Sequence, residues 1–114
     1  MDQKEITKNV IMELRRGALV LAALSQLDRE QYGYSLLKTL SDRGLGIDQG
    51  TLYPLLRRLE TQGVLRSAWR VEEAHPRRYY VVSEAGLKLL PQLKQEWLDL
   101  VNTMAGLLNE KKEK

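Results

Sequence analysis

Within residues 52–82 the spacing of apolar side chains changes from a helical to an extended period, and few small folds accommodate that change. Leu52, Leu55, Leu56 and Leu59 stand at i, i+3, i+4 and i+7, a single apolar stripe on one helix face. Gly63 stops this helix and Val64 is placed to cover Leu59. Two runs rich in β-branched and aromatic residues follow, 64–71 and 78–82, on either side of Glu72-Glu73-Ala74-His75-Pro76. They predict an antiparallel hairpin with a loop of several residues. Ser83 then caps another helix, with Glu84 at its favourable N-terminal end.

Two helices are predicted ahead of this block. From Ile6 to Leu27, Val10, Leu14, Leu21 and Leu24 recur at three-to-four spacing, with Val20, Ala22 and Ala23 beside them. Asp28-Arg29-Glu30-Gln31 reads as a polar break. A second helix runs from Tyr32 through Leu36, Leu37 and Leu40, and Gly44 closes it so that Leu45 folds back on Leu40. The third helix spans about Asp48 to Gln62. Pro54 is best tolerated in a first turn, which moves the expected start of this helix toward Gly50. Opposite its leucine stripe lie Gly50, Pro54, Arg57 and Thr61, with Tyr53 and Arg58 at the edges.

The last helix, 83–109, carries Leu90, Leu93, Trp97, Leu100, Met104 and Leu107 at alternating steps of three and four, widened by Val101 and Leu108. Such a seam exceeds what so small a body can cover, so it predicts a two-fold homodimer. Pro91 inside the pattern predicts a kink or a restart. Residues 110–114 read as a charged tail.

Other function classes fall on composition. The 114 residues suffice for one domain, and 43% hydrophobic with 29% charged residues is ordinary for a globular chain. No apolar run approaches a membrane span, and the opening Met1-Asp2-Gln3-Lys4-Glu5 does not resemble a secretory leader. With no Cys, a cytoplasmic location and no membrane association are expected. The single His, His75, lies at the hairpin tip, and neither a GxGxxG fingerprint nor a phosphate-binding loop occurs. Neither an enzyme nor a cofactor or metal site is expected.

Three helices, a hairpin and a terminal helix make a mainly α (α+β) chain in the order of a winged helix-turn-helix. The third helix would enter a DNA groove while the hairpin leans on the flanking backbone. Gly50-Thr51-Leu52-Tyr53-Pro54-Leu55-Leu56-Arg57-Arg58-Leu59-Glu60, Gly63, Trp69, Pro76-Arg77-Arg78-Tyr79-Tyr80 and Ser83-Glu84-Ala85-Gly86, with the earlier Tyr32-Gly33-Tyr34, resemble the PadR family of bacterial transcriptional regulators. The resemblance implies a dimeric repressor of palindromic operators, in the short form with a single C-terminal dimerisation helix. It also implies that a flat aromatic effector can lie between the subunits. Residues 1–114 are then one domain, with the winged region at 6–82 and the dimerisation helix at 83–109.

The charge distribution sharpens this reading. The net +3 lies entirely within residues 49–80, where six arginines face three glutamates. The residues expected to touch DNA are Gln49, Gly50, Thr51, Tyr53, Arg57, Arg58, Arg77, Arg78 and Lys38. Arg57 and Arg58 point about 100° apart, and Arg77 and Arg78 take opposite faces of a strand, so one of each pair is the better contact. Those expected at the dimer interface are Leu90, Leu93, Trp97, Leu100, Val101, Met104 and Leu107, with Trp97 able to stack on an effector. Trp69, with Tyr79 or Tyr80, is expected in the core under the hairpin, and Asp48 and Ser83 are expected to be caps alone. The acidic hairpin tip supports a competing reading, a winged-helix dimer that binds a ligand or a protein without DNA.

Overall fold

A computed structural model describes residues 2–109. Four helices, α1 (Gln3–Ser25), α2 (Gly33–Asp42), α3 (Gln49–Thr61) and α4 (Glu84–Asn109), surround a small sheet of β1 (Gln31–Tyr32), β2 (Leu65–Glu72) and β3 (His75–Val82). The sheet is antiparallel in the order β1-β3-β2.

Local chemistry sets the helix ends. Asp2 accepts from the Glu5 amide at 2.8 Å, so α1 begins three residues ahead of the expected Ile6. Asp48 accepts from the Thr51 amide at 2.8 Å, which fixes the start of α3 at Gln49 and leaves Pro54 inside the helix. At Gly44 (φ +98°) and Gly63 (φ +85°) the chain turns left-handed. The Leu45 and Val64 amides then close back on Leu40 and Leu59 carbonyls at 2.8 and 3.0 Å.

The leucine stripe of α3 is buried along its whole length, against Leu24 and Leu27 from the α1 side, Leu36 and Leu40 of α2, and Leu65, Tyr80 and Val82 of the sheet. Two bonds tie the hairpin base to the helices: Val82 donates to the Leu27 carbonyl at 2.9 Å and Ser83 to the Val64 carbonyl at 3.0 Å.

Several expectations are corrected here. The hairpin loop is only two residues, Glu73-Ala74, because pairing continues out to Glu72 opposite His75. Both loop residues sit at positive φ (49° and 65°), the twist a two-residue hairpin demands. The strands therefore outrun the helices beneath them, and Trp69, expected in the core, is 64% exposed. Tyr80, nearer the hairpin base, is buried in its stead. The supposed break before α2 contains β1, since Gln31 and Tyr32 pair with Tyr80 and Tyr79. Finally α4 runs unbroken through Pro91. Ser83 does more than cap α4: its Oγ accepts from the Gly86 amide at 3.1 Å and donates to the Gly63 carbonyl at 2.6 Å.

Candidate nucleic-acid interface

With its leucines turned into the core, α3 divides its remaining side chains between two grooves. Tyr53 and Arg57 face the hairpin. With Tyr32, Tyr34, Trp69 and Tyr80 they line a cleft of about 540 Å³ that also receives Arg77 and Arg78 from β3. Gly33 makes the cleft floor possible, because a Cβ there would lie 2.8 Å from Cε1 of Tyr53. On the other flank Gly50, Thr51, Pro54 and Arg58 border a second groove with Arg16 and Leu19 of α1. Gln49, at the start of α3, and Lys38, on α2, are exposed and line neither groove.

The two wing arginines do different work. Arg78 is bound inward: its Nη2 meets Oε1 of Glu60 at 2.8 Å and its Nε donates to Ser67 Oγ at 2.9 Å. The guanidinium lies 5.7 Å from the Trp69 ring centroid and 5.8 Å from that of Tyr80. Arg77, on the opposite strand face, sits 4.6 Å above the Tyr32 ring. Arg70 pairs with Glu30. Among the described residues no carboxylate forms an ion pair with Arg57, Arg58, Arg66 or Arg77, so the positive charge of this surface is largely uncompensated. Burial, then the neighbouring Tyr34, Tyr32 and Tyr80, push the Tyr53 phenol above its ordinary value, which keeps it a neutral hydrogen-bond donor at physiological pH.

The seam of α4 divides as well. Leu90 and Leu93 pack against the chain's own core, whereas Trp97 (44% exposed), Leu100, Val101, Met104 and Leu107 lie open in a row. Ile6, Val10, Ile11 and Leu14 of α1 are exposed too. The open part of α4 forms a shallow apolar groove of about 350 Å³ lined by Trp97, Leu100, Val101, Met104, Ala105 and Leu108. The expected charged tail, 110–114, lies outside the described residues.

Tyr32, Tyr34, Trp69 and Arg16 were missed as groove residues. Tyr32-Gly33-Tyr34 offered a signal: two exposed-type aromatics around a glycine just before a helix whose apolar face is already complete. No helix is long and apolar enough to cross a membrane, and no group of three or more His, Cys, Asp or Glu could hold a metal among the described residues.

A helix-turn-helix whose second helix keeps a cationic face free, followed by an antiparallel wing packed on that helix, defines a winged helix-turn-helix protein. The model of the transcriptional regulator PadR-like family matches residues 20–92, and the chain belongs to that family. The transcriptional regulator Rv3488 of Mycobacterium tuberculosis is 36% identical over 95 residues, covering 82% of this chain and 89% of that protein. The crystal structure of a PadR family transcriptional regulator from Eggerthella lenta is 44% identical with a TM-score of 0.83, covering 92% of this chain and 94% of its own. That of a PadR-like transcriptional regulator from Bacillus cereus is 28% identical with a TM-score of 0.72, covering 84% and 96%. These relatives are regulators of transcription, not enzymes.

Proposed function

We propose that the protein is a homodimeric repressor that binds double-stranded DNA at palindromic operators. The observation that carries this reading is the convergence of Tyr53 and Arg57 of α3 with Arg77 of the wing on one cleft whose cations lack carboxylate partners. Residues 6–82 form the DNA-binding region and 83–109 the dimerisation helix. The N-terminal end of α3 enters the major groove, where Gln49 and Thr51 reach base edges and Gly50 permits close approach. Arg57 and Arg77 hold one phosphodiester strand across the cleft, while Arg58 and Lys38 meet phosphates farther along. Arg78 acts indirectly, by fixing the wing to Glu60. In the dimer, the apolar groove around Trp97 is covered by the second copy and gives a small aromatic effector a stacking face whose occupation releases DNA.

Selection of bound duplexes from a random pool at two salt concentrations tests this directly. Inverted repeats are expected, with half-sites about one helical turn apart or a multiple of it. Affinity should fall steeply with salt, and Arg57→Ala should weaken binding at least several-fold on every selected site. No enrichment at low salt, or binding indifferent to Arg57→Ala, would overturn the reading.

A further inference from the structure

The cleft between α3 and the wing has more aromatic wall than a sugar-phosphate strand requires. Its volume, about 540 Å³, lies within the range of small-molecule sites. Tyr34 and Trp69 are 52% and 64% exposed on opposite sides of it, one at the start of a helix and the other on a paired strand. Large rings left open on rigid elements form ready stacking faces, at little cost in side-chain entropy when something lies between them. The cations beside them are not equivalent. Arg78 is neutralised by Glu60, whereas Arg57 and Arg77 have no ion pair among the described residues. Two free guanidiniums above aromatic walls suit a flat π-system that carries a negative charge, through stacking and charge-assisted hydrogen bonds together.

We propose that this cleft is a binding site for a planar aromatic anion, an aryl carboxylate or its like, held within one protomer by Arg57 and Arg77 against Trp69 and Tyr34. The site is separate from the apolar groove at Trp97, which has no charged lining residue. Its regulatory consequence rests on the DNA reading above: ligand and phosphodiester claim the same two arginines, so the anion displaces DNA by direct competition.

The chain has two tryptophans, so a 15N-labelled sample gives two indole N–H signals, assigned with Trp69→Phe and Trp97→Phe. Titrated with 2-naphthoate, the Trp69 signal is expected to shift saturably. Uncharged 2-naphthamide should bind at least fivefold more weakly, and the Arg57→Met/Arg77→Met double variant, checked for unchanged helix content, should lose at least tenfold in affinity. Movement of the Trp97 signal alone, equal binding of acid and amide, or an unaffected double variant would overturn the site. None of these readouts involves DNA. A saturable Trp69 shift in a protein that selects no duplex therefore fails the DNA reading and keeps the site, and the reverse result does the opposite.

Discussion

Ala74 holds a backbone conformation that an L-residue with a Cβ resists. At φ 65° it follows Glu73 at φ 49°, and the two make the whole wing turn. A left-handed residue with a side chain costs about 1–2 kcal/mol relative to glycine. Ala74→Gly is therefore expected to stabilise the chain by about 1 kcal/mol, read as a rise in the midpoint of urea unfolding at unchanged slope. No gain would mean that the turn contributes no strain. Two glycines elsewhere have opposite requirements. A Cβ at Gly86 would run into the Val64 carbonyl and the Val82 side chain, where α4 starts directly on the hairpin base. Gly17, in the middle of α1, has nothing within 4 Å of the same position. Gly86→Ala should cost about 1–3 kcal/mol or more through forced backbone movement, while Gly17→Ala should gain about 0.5–1 kcal/mol from helix propensity. Equal effects in the same unfolding assay would show that packing at the head of α4 is looser than described.

A wing that projects beyond its helices needs an anchor, and Glu60 supplies it. From the last full turn of α3 its carboxylate takes Arg78 of β3 and Ser67 of β2 together, joining the recognition helix to both wing strands. The pair is about one-third exposed (35% and 27%), so solvent screens it, and a coupling of about 1 kcal/mol is expected between Glu60→Ala and Arg78→Ala in a double-mutant cycle. Additive losses would leave the clasp without energetic meaning. This contact also marks where sequence reasoning stops. The helices and the two β-type runs were legible because helical and extended periods are written in neighbouring residues, and the caps at Gly44 and Gly63 because a left-handed turn selects glycine. Which of Arg77 and Arg78 faces inward was not, since Glu60 lies 18 positions from Arg78 and only the register of the folded hairpin brings it there. The exposure of Trp69 depended on how far the strands outrun the body, and a two-residue strand such as β1 is too short to have a period. The site was half legible: Tyr53, Arg57 and Arg77 follow from helix and strand faces, whereas the cleft wall from Tyr32 and Tyr34 required α2 and α3 to be placed together.

The molecule measures 62 × 39 × 24 Å with a radius of gyration of 16.8 Å, against about 13 Å for a compact chain of this length. The excess comes with apolar rows left open on α1 and on the outer half of α4, surfaces that a stable monomer keeps small. A second copy seated on α4 would bury them and would place two recognition helices on one face of a duplex. The row is tested by charge: Leu100→Glu with Met104→Glu leaves the core untouched, because both positions lie outside the core cluster. Equilibrium sedimentation should show the mass of this variant fall by half at micromolar concentration, with helix content retained. Salt dependence then connects assembly to function. Each phosphate contact contributes about 0.9 to the slope of log affinity against log salt. Arg57→Ala removes one such contact per protomer, so the slope should fall by about 1.8 if a dimer binds and by about 0.9 if a single chain does. The larger change in the parent protein, together with a loss of half-site cooperativity in the charged variant, is the outcome expected of a two-fold regulator. A change of 0.9 in the parent protein would place one subunit off the DNA and contradict the symmetric arrangement.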